Sequence, residues 1–380
     1  MESLVIALVD LNNIAHNLRE VKKIISSNTE IMAVVKANGY GHGAAEVAKV
    51  VLREGASYLG VARLEEAVDL RKKGIFQDIL IFGYISPSDL EIVKKYNFIV
   101  SIFDKTQAIE YIKKCKELGC RMRIHIKVDT GMGRVGYVLS DKDQKKQAIS
   151  DIKELLKVDE FSVEGIYTHF ARADEQDLSY SKMQLGLFKE LMNELSERVN
   201  KKIKYHAANS AAIIQLPDSH LDIVRPGIML YGLYPSRYLK DSTYVQLKPA
   251  MSLISRIVQI KKVTSGFKVS YGSTYITKRR ARLATVPVGY ADGYPRLLSN
   301  RGYVLINGKF AKIAGRICMD QFLVDITDVD AAVGDKVVLF GKYNSFELSV
   351  DEVAELAQTI NYEIVSQISS RVKRVYIGDF

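Results

Sequence analysis

The chain of 380 residues carries only three cysteines, Cys115, Cys120 and Cys318. An odd count without framework spacing excludes a disulfide scaffold and points to reduced thiols in a cytosolic protein. No apolar run reaches the length needed to cross a bilayer. Near the N-terminus, Glu2 stands where an export signal wants positive charge, and no small-residue cleavage pattern follows. A cytoplasmic protein with no membrane partner is expected. Blocks of like charge are missing as well. The net charge is +10, but Lys and Arg are interleaved with acids, as in Glu65-Glu66 followed by Arg71-Lys72-Lys73. Such spacing describes solvated helix faces that attract small anions. A nucleic-acid partner would rest on net charge alone and is not expected. Low-complexity tracts are absent, no repeat is visible beyond a loose β/α alternation, and no metal site is assigned.

What is present is an ordinary globular composition, 47% hydrophobic and 26% charged, in a chain long enough for two domains. The stretch Ile31–Gly43, IMAVVKANGYGHG, organises the rest. Ile31–Val35 reads as a short buried strand closed by Lys36. Asn38, Gly39, Gly41 and Gly43 then punctuate a turn before the helical pattern Ala44–Leu52. A lysine alone at a strand end usually snorkels to water. Held there by a turn that opens a helix, its desolvated amine is also suited to act as nucleophile or base, beside N–H groups that suit a phosphate.

Eight short apolar runs are candidate strands: Ile31–Val35, Tyr58–Ala62, Ile79–Gly83, Ile99–Phe103, Met122–Val128, Val163–Thr168, Tyr205–Ala208 and Ile223–Val224. Amphipathic helical segments such as Lys105–Glu117 and Tyr180–Val199 lie between them, after an opening strand Leu4–Val9 and a helix from Asn12 to Ile25. The pattern predicts an α/β chain whose N-terminal part is a (β/α)8 TIM-type barrel. A doubly wound open sheet is the alternative, disfavoured because no GxGxxG follows the first strand. From residue 239 onward, strand-like runs separated by Gly, Asp and Asn turns predict a mostly β C-terminal domain with one late helix, Val350–Ile360. The expected domains are 1–238 and 239–380, divided near Pro235–Thr243.

In such a barrel the loops after the strands build the active site. Here they bring Lys36 and Tyr40, then Lys127 and Arg134, then His169, then Asn209 and Ser210, then Arg225. His169 alone is more often a packed residue, and Ser210 alone an ordinary helix cap. Together they describe a basic pocket competent for phosphate.

Further segments make the pattern specific. AVVKANGYGHG, KVDTGMGRVG (Lys127–Gly136), YTHFARADE (Tyr167–Glu175), HAANSAA (His206–Ala212), RPGIMLYG (Arg225–Gly232), VSYGSTY (Val269–Tyr275), PVGYADGYPR (Pro287–Arg296) and GRICMDQ (Gly315–Gln321) occur in one order over both domains. In this they resemble the alanine racemases, fold-type III pyridoxal-phosphate enzymes. The resemblance implies a (β/α)8 barrel with a β domain, a head-to-tail homodimer, the cofactor pyridoxal 5'-phosphate, and alanine as the small amino-acid substrate. It implies that Lys36 forms the Schiff base with the cofactor and is one base, and that Tyr271 is the opposite-face base, reaching the site from a partner subunit. A tyrosine starts near a pKa of about 10 and must be shifted down by positive charge, for which His169 is the suggested agent. Arg225 would face the pyridine nitrogen. Tyr40, Ser210, Gly227 and Ile228 would hold the phosphate, with Asn209 beside them. Arg134 and the backbone at Met319 would hold the substrate carboxylate. Lys127 matches a lysine often carbamylated in the family, or is a plain strand lysine. Tyr290 and Asp320 would line the substrate, and Asp174, Arg296, Arg316 and Ser370 the entrance. The implied activity is two-base interconversion of L- and D-alanine, supplying D-alanine for peptidoglycan.

The chain departs from the family at one place. Ile368-Ser369-Ser370-Arg371-Val372 has Ser370 where many members carry a tyrosine that narrows the gateway. Acceptance of serine and larger side chains is the expected consequence. Two other readings share the barrel. A non-catalytic cofactor carrier would lack the β domain. A decarboxylase would place a carboxylate opposite the pyridine nitrogen and carry acidic and cysteine-bearing motifs, of which only Cys318 lies near the relevant loop.

Overall fold

The computed structural model describes residues 3–196 and 203–379. The chain divides into two compact units, one of Ile14–Ala37 and Ala44–Lys248, the other of Met1–Asn13, Asn38–Gly43 and Pro249–Phe380.

The first unit is a parallel barrel. Its strands are Glu30–Val34 (β1), Tyr58–Val61 (β2), Asp78–Ile81 (β3), Ile99–Ile102 (β4), Met122–Asp129 (β5), Phe161–Tyr167 (β6), Lys204–His206 (β7) and Ile223–Val224 (β8). Each pairs in parallel with the next from β1 to β7, and β8 pairs with β1. Between β7 and β8, the backbone bonds Asp222 N to Tyr205 O (3.1 Å) and Arg225 N to Ala208 O (3.0 Å) nearly close the ring. Strands such as β2 and β4 are buried at every position, as parallel strands covered on both faces must be. That is why they read as continuous apolar runs. Capping is local: Asp104 accepts from Gln107 N at 2.7 Å to start the helix Lys105–Leu118, and Gly119 ends it with φ +54°. The helix expected over Tyr180–Val199 is seen as Ser179–Ser196, and its remaining positions fall outside the described residues.

The second unit is built on a ten-stranded sheet. Its strands run Gln259–Val263, Ala281–Val286, Phe322–Asp325, Lys309–Ala314, Tyr303–Ile306, Lys336–Tyr343, Met251–Arg256, Ile6–Asp10 and Lys373–Ile377, with Phe346–Leu348 beside Lys336–Tyr343. A two-stranded hairpin, Lys268–Val269 with Tyr275–Ile276, carries Tyr271 in its loop. A cut near residue 238 does not reproduce this division. Ile6–Asp10 pairs antiparallel with Met251–Arg256 and parallel with Lys373–Ile377. Its burial alternates along the strand, which suits a sheet covered on one face and not a barrel stave. Ser252–Val263 is two strands rather than one, and the late helix is two, Val350–Leu356 and Asn361–Ser366.

Candidate active site

Strand β1 ends in a pinned backbone. Val34 N donates to Pro226 O (3.0 Å), Val35 N donates to Gly60 O (2.9 Å), and the Tyr231 hydroxyl donates to Val34 O (2.9 Å). After Lys36 the chain turns left-handed: φ is +52° at Ala37, +53° at Asn38, +62° at Gly39 and +49° at Tyr40. Only one of the four is glycine; Asn38 tolerates this conformation, but Ala37 and Tyr40 each cost on the order of 1–2 kcal/mol in it. Such strain persists where neighbours over-determine it. One neighbour is Glu66, whose carboxylate accepts from Ala37 N (2.6 Å), Ala62 N (2.8 Å) and Arg63 N (3.1 Å). The Lys36 amine is held below the usual lysine range, chiefly by burial and also by the Arg134 charge, with Glu66 opposing.

At the end of the neighbouring strand β8 lies Arg225, 4% exposed. Its guanidinium donates to Thr168 O (2.7 Å), Ala207 O (2.9 Å), His206 Nδ1 (2.8 Å) and, more weakly, His169 Nδ1 (3.4 Å). Among the described residues no carboxylate pairs with it. Burial brings its pKa down to about 10, so it stays charged at neutral pH. Because guanidinium only donates, both histidine Nδ1 atoms must accept. His206 therefore carries its proton on Nε2 and donates to His125 Nδ1 at 2.9 Å. Burial and the Arg225 charge hold His169 and His206 well below the usual histidine range, and burial with the Arg123 charge takes His125 to about 3. His169 is therefore neutral. The positive charge expected from it on sequence grounds is carried by Arg225.

Lys127 is 3% exposed, its Nζ donating to Val128 O at 2.5 Å and lying 5.5 Å from the centre of the Tyr167 ring. Burial lowers its pKa to about 7, Asp129 opposing and Arg225 and Arg134 adding to the fall. Asp129 shapes the next loop: its carboxylate accepts from Gly131 N, Met132 N, Gly133 N and Arg134 N at 2.8–3.1 Å. Burial opposes its ionisation, but those N–H groups and Lys127 bring its pKa below the usual range. Arg134 is thus presented on an ordered loop. Lys36, Lys127, Arg134 and Arg225 all act electrostatically on His169, which marks them as one cluster.

The third wall is the phosphate side. Asn209 caps Ser210–Gln215 through Oδ1, accepting from Ala212 N (3.0 Å). The Ser210 hydroxyl accepts from Gly227 N (2.8 Å) and Met229 N (3.4 Å), tying that turn to the start of the 3-10 turn Ile228–Tyr231. An amine of reduced basicity, a buried donor-only cation, and a hydroxyl between two turn N-termini are groups able to meet the aldehyde, pyridine nitrogen and phosphate of pyridoxal phosphate. The donor set fits that cofactor. Asp174 stands apart from the cluster, its carbonyl accepting from the Ser236 hydroxyl at 2.7 Å.

The remaining sequence-derived residues lie in the second unit. Tyr271 is 72% exposed in a turn opened by Ser270, whose φ is +61° and whose hydroxyl donates to Arg316 O at 2.6 Å. A β-carbon at Gly272 would lie 3.1 Å from the Arg316 guanidinium, so Arg316 and the Tyr271 turn are neighbours. Tyr290, Met319, Asp320 and Ser370 form a second group. Tyr290 N donates to Cys318 O (3.2 Å) and Ala291 N to Met319 O (3.1 Å). Gly289 is needed there, because a β-carbon would sit 2.1 Å from Met319 O. Arg371 bridges Asp320 (2.8 Å) and Asp292 (3.5 Å) beside the exposed Ser370. Tyr40 packs 6.2 Å from Tyr362, and burial raises its phenol pKa. Arg296 is exposed at the start of the turn Arg296–Leu298, whose Leu298 is buried.

Sequence reasoning missed Glu66, His206, Asp292 and Arg371. Asp129 is placed by sequence at the end of the fifth barrel strand, and its capping of the following loop fits an Asp ahead of a Gly-rich turn. Glu66 had no usable signal, because it reads as one charge on a solvated helix.

The comparisons agree with this architecture. Residues 9–235 match the family model described as alanine racemase, N-terminal domain, and residues 250–376 the alanine racemase, C-terminal domain. An alanine racemase of Desulforamulus reducens is 48% identical over 373 residues, covering 98% of both chains. The crystal structure of the Bacillus anthracis alanine racemase with bound L-Ala-P superposes with a TM-score of 0.93 at 38% identity, covering 100% of this chain and 96% of that one. The Bartonella henselae alanine racemase with covalently bound pyridoxal phosphate gives 0.87 at 30% identity, covering 99% and 100%. With both domain models matched, and with relatives and solved structures similar along the whole chain, this chain belongs to the alanine racemase family.

Proposed function

We propose that this racemase interconverts L- and D-alanine with two bases, Lys36 at one face of the substrate α-carbon and Tyr271 at the other. It would thereby supply D-alanine for peptidoglycan. The observation that carries the reading is the placement of a desolvated Lys36 amine and a donor-only, buried Arg225 in one electrostatic cluster. Ser210, Asn209, Gly227, Ile228 and Tyr40 would hold the cofactor phosphate. When bound, pyridoxal phosphate supplies the electron sink that acidifies the substrate Cα–H.

The protein groups do the rest. Arg225 would donate to the pyridine nitrogen and leave it without a proton, which limits charge build-up and disfavours side reactions. Lys36 is suited to act as a base because burial lowers the basicity of its amine. Arg134 and the Met319 backbone would hold the substrate carboxylate, with Tyr290 and Asp320 around it. Lys127, with a pKa of about 7, has a neutral amine that can attack carbon dioxide and lose a proton. The resulting carbamate would steady Arg134. Tyr271, exposed as it is, would serve a second copy of the chain in a head-to-tail homodimer, with Asp174, Arg296, Arg316 and Ser370 at the entrance. The absence of the gateway tyrosine supports acceptance of serine. Among the described residues no helix is long and apolar enough to cross a membrane.

The test is α-proton exchange of L-alanine in deuterated buffer with added pyridoxal phosphate, read with the enantiomer ratio. Exchange with loss of optical activity supports two bases. Exchange with retained configuration would remove Tyr271 from its role, and no exchange by the loaded protein would favour a carrier. Separately, Lys36→Ala and Tyr271→Ala chains, each inactive, should recover activity when refolded together if sites are shared.

A further inference from the structure

We propose that Glu66 is the positioning residue of Lys36: its carboxylate fixes the peptide that follows the lysine, and so aims the amine. The inference rests on the reading of Lys36 as the cofactor-binding base. Glu66 divides its two oxygens between different tasks. Oε2 accepts from Ala62 N (2.8 Å) and Arg63 N (3.1 Å), which is the cap of its own helix, Leu64–Lys72. Oε1 reaches away from that helix to Ala37 N at 2.6 Å, the shortest of the three bonds.

The Ala37 N–H belongs to the first peptide of the left-handed turn, where φ at Ala37 is +52°. Alanine has no intrinsic reason to sit there. A charge-assisted bond from a carboxylate whose other oxygen is already anchored is strong enough to select that conformation. The side chain of Lys36 leaves the backbone at the adjoining Cα, so the rotation of this peptide sets where its amine can go. The same carboxylate also opposes the fall in Lys36 basicity caused by burial and Arg134. Glu66 therefore acts on the lysine in two ways, through the backbone and through charge, without touching the reacting atoms.

The division of labour gives a selective test. In Glu66→Gln the amide oxygen can keep the helix cap, since glutamine serves at this position of a capping box. Its NH2 then faces Ala37 N, donor against donor. The holoenzyme variant should keep its melting temperature within a few degrees while kcat falls about tenfold or more at a KM for alanine within about twofold. More cofactor should be lost on desalting than from the unaltered enzyme. The acidic limb of the D-to-L pH profile should also move to lower pH, because a raising influence on Lys36 is gone. Glu66→Ala should add a loss of stability that Glu66→Gln lacks. Unchanged kcat, pH profile and cofactor retention in Glu66→Gln would overturn the proposal and leave Glu66 as a helix cap. So would a loss of activity matched by an equal loss of melting temperature. Racemisation by the unaltered enzyme in the same assay separates failure of this inference from failure of the functional reading.

Discussion

The barrel mouth and the loops of the β unit hold their functional groups by different means. At the mouth, side chains do the holding, on other side chains and on backbone. Arg225 dictates the tautomers of two histidines, Asp129 orders the loop of Arg134, and burial with Arg134 weakens Lys36. In the β unit, backbone bonds carry much of the holding: Cys318 O, Met319 O and Asp292 O tie three loops together, with Arg371 clasping Asp320 and Asp292, while Tyr271 and Met319 stay 72% and 52% exposed. One region is complete in its electrostatics. The other is held mainly in its shape, and its phenol stays exposed; under the proposed function that phenol would gain its environment at a second copy's site.

The largest test of that contrast is removal of each base. Lys36→Ala should lower kcat by about 10³-fold or more in both directions, because under the proposed function it removes the cofactor anchor together with a base. Tyr271→Phe should lower it by about 10²–10⁴-fold while leaving cofactor binding intact, since the phenol lies outside the barrel cluster. Absorbance of the bound cofactor and steady-state rates in each direction measure this. Equal loss of cofactor in both variants would erase the distinction drawn between the two regions.

Next is Arg225→Ala. It strands His206 Nδ1 and the carbonyls of Thr168 and Ala207, each now bonded to the guanidinium. A loss of about 2–5 kcal/mol in unfolding free energy is expected, checked by denaturant titration. Arg316→Ala, beside Tyr271 on the exposed side, should change stability by less than about 0.5 kcal/mol. Similar losses at the two positions would contradict the contrast.

Acid should expose the barrel's buried histidines. Burial moves His125 from 6.5 to about 3 in the folded state, so below pH 6.5 the unfolded chain binds a proton that the folded one refuses. The stability this group contributes is complete above pH 6.5 and is lost as pH falls toward 3, at about 1.4 kcal/mol per pH unit. His206 has the same sign. His125→Asn should flatten the decline between those limits, measured by denaturant midpoints at successive pH values. An unchanged slope would mean that the histidine chain is not held neutral.

How much of this was legible follows from the same contrast. Barrel staves announced themselves because parallel strands are apolar throughout, and even Ile223–Val224, seen as a two-residue strand, was readable from its flanks. The opening strand was recognised as a strand. Its membership of the β unit was not legible, since pairing with residues 251–256 and 373–377 is a long-range fact. The turn after Lys36 was visible through its glycines, yet its handedness was not, because Ala37 and Tyr40 give no sign of positive φ. His169 lies beside Arg225 and within reach of the charges of Lys36, Lys127 and Arg134. Its neutrality depends on Arg225, which a motif cannot reveal.

The smallest effect concerns the proposed gateway at Ser370, where shape alone would act. Ser370 is exposed next to Arg371, which clasps Asp320 and Asp292, so the backbone around it is already fixed by its neighbours. A tyrosine introduced there adds bulk to a loop that does not have to move. Discrimination by crowding is worth only about 1–3 kcal/mol even for a well-formed pocket, and an exposed rim delivers the lower part of that range. Ser370→Tyr should therefore reduce the serine-to-alanine ratio of kcat/KM by about 3–10-fold, with alanine turnover nearly unchanged. An unaltered ratio would mean that the substrate passes elsewhere or that the remaining entrance residues already set its size. A collapse of alanine turnover would mean instead that the loop is less rigid than Arg371 makes it, and the shape of the β unit would then be adjustable rather than fixed.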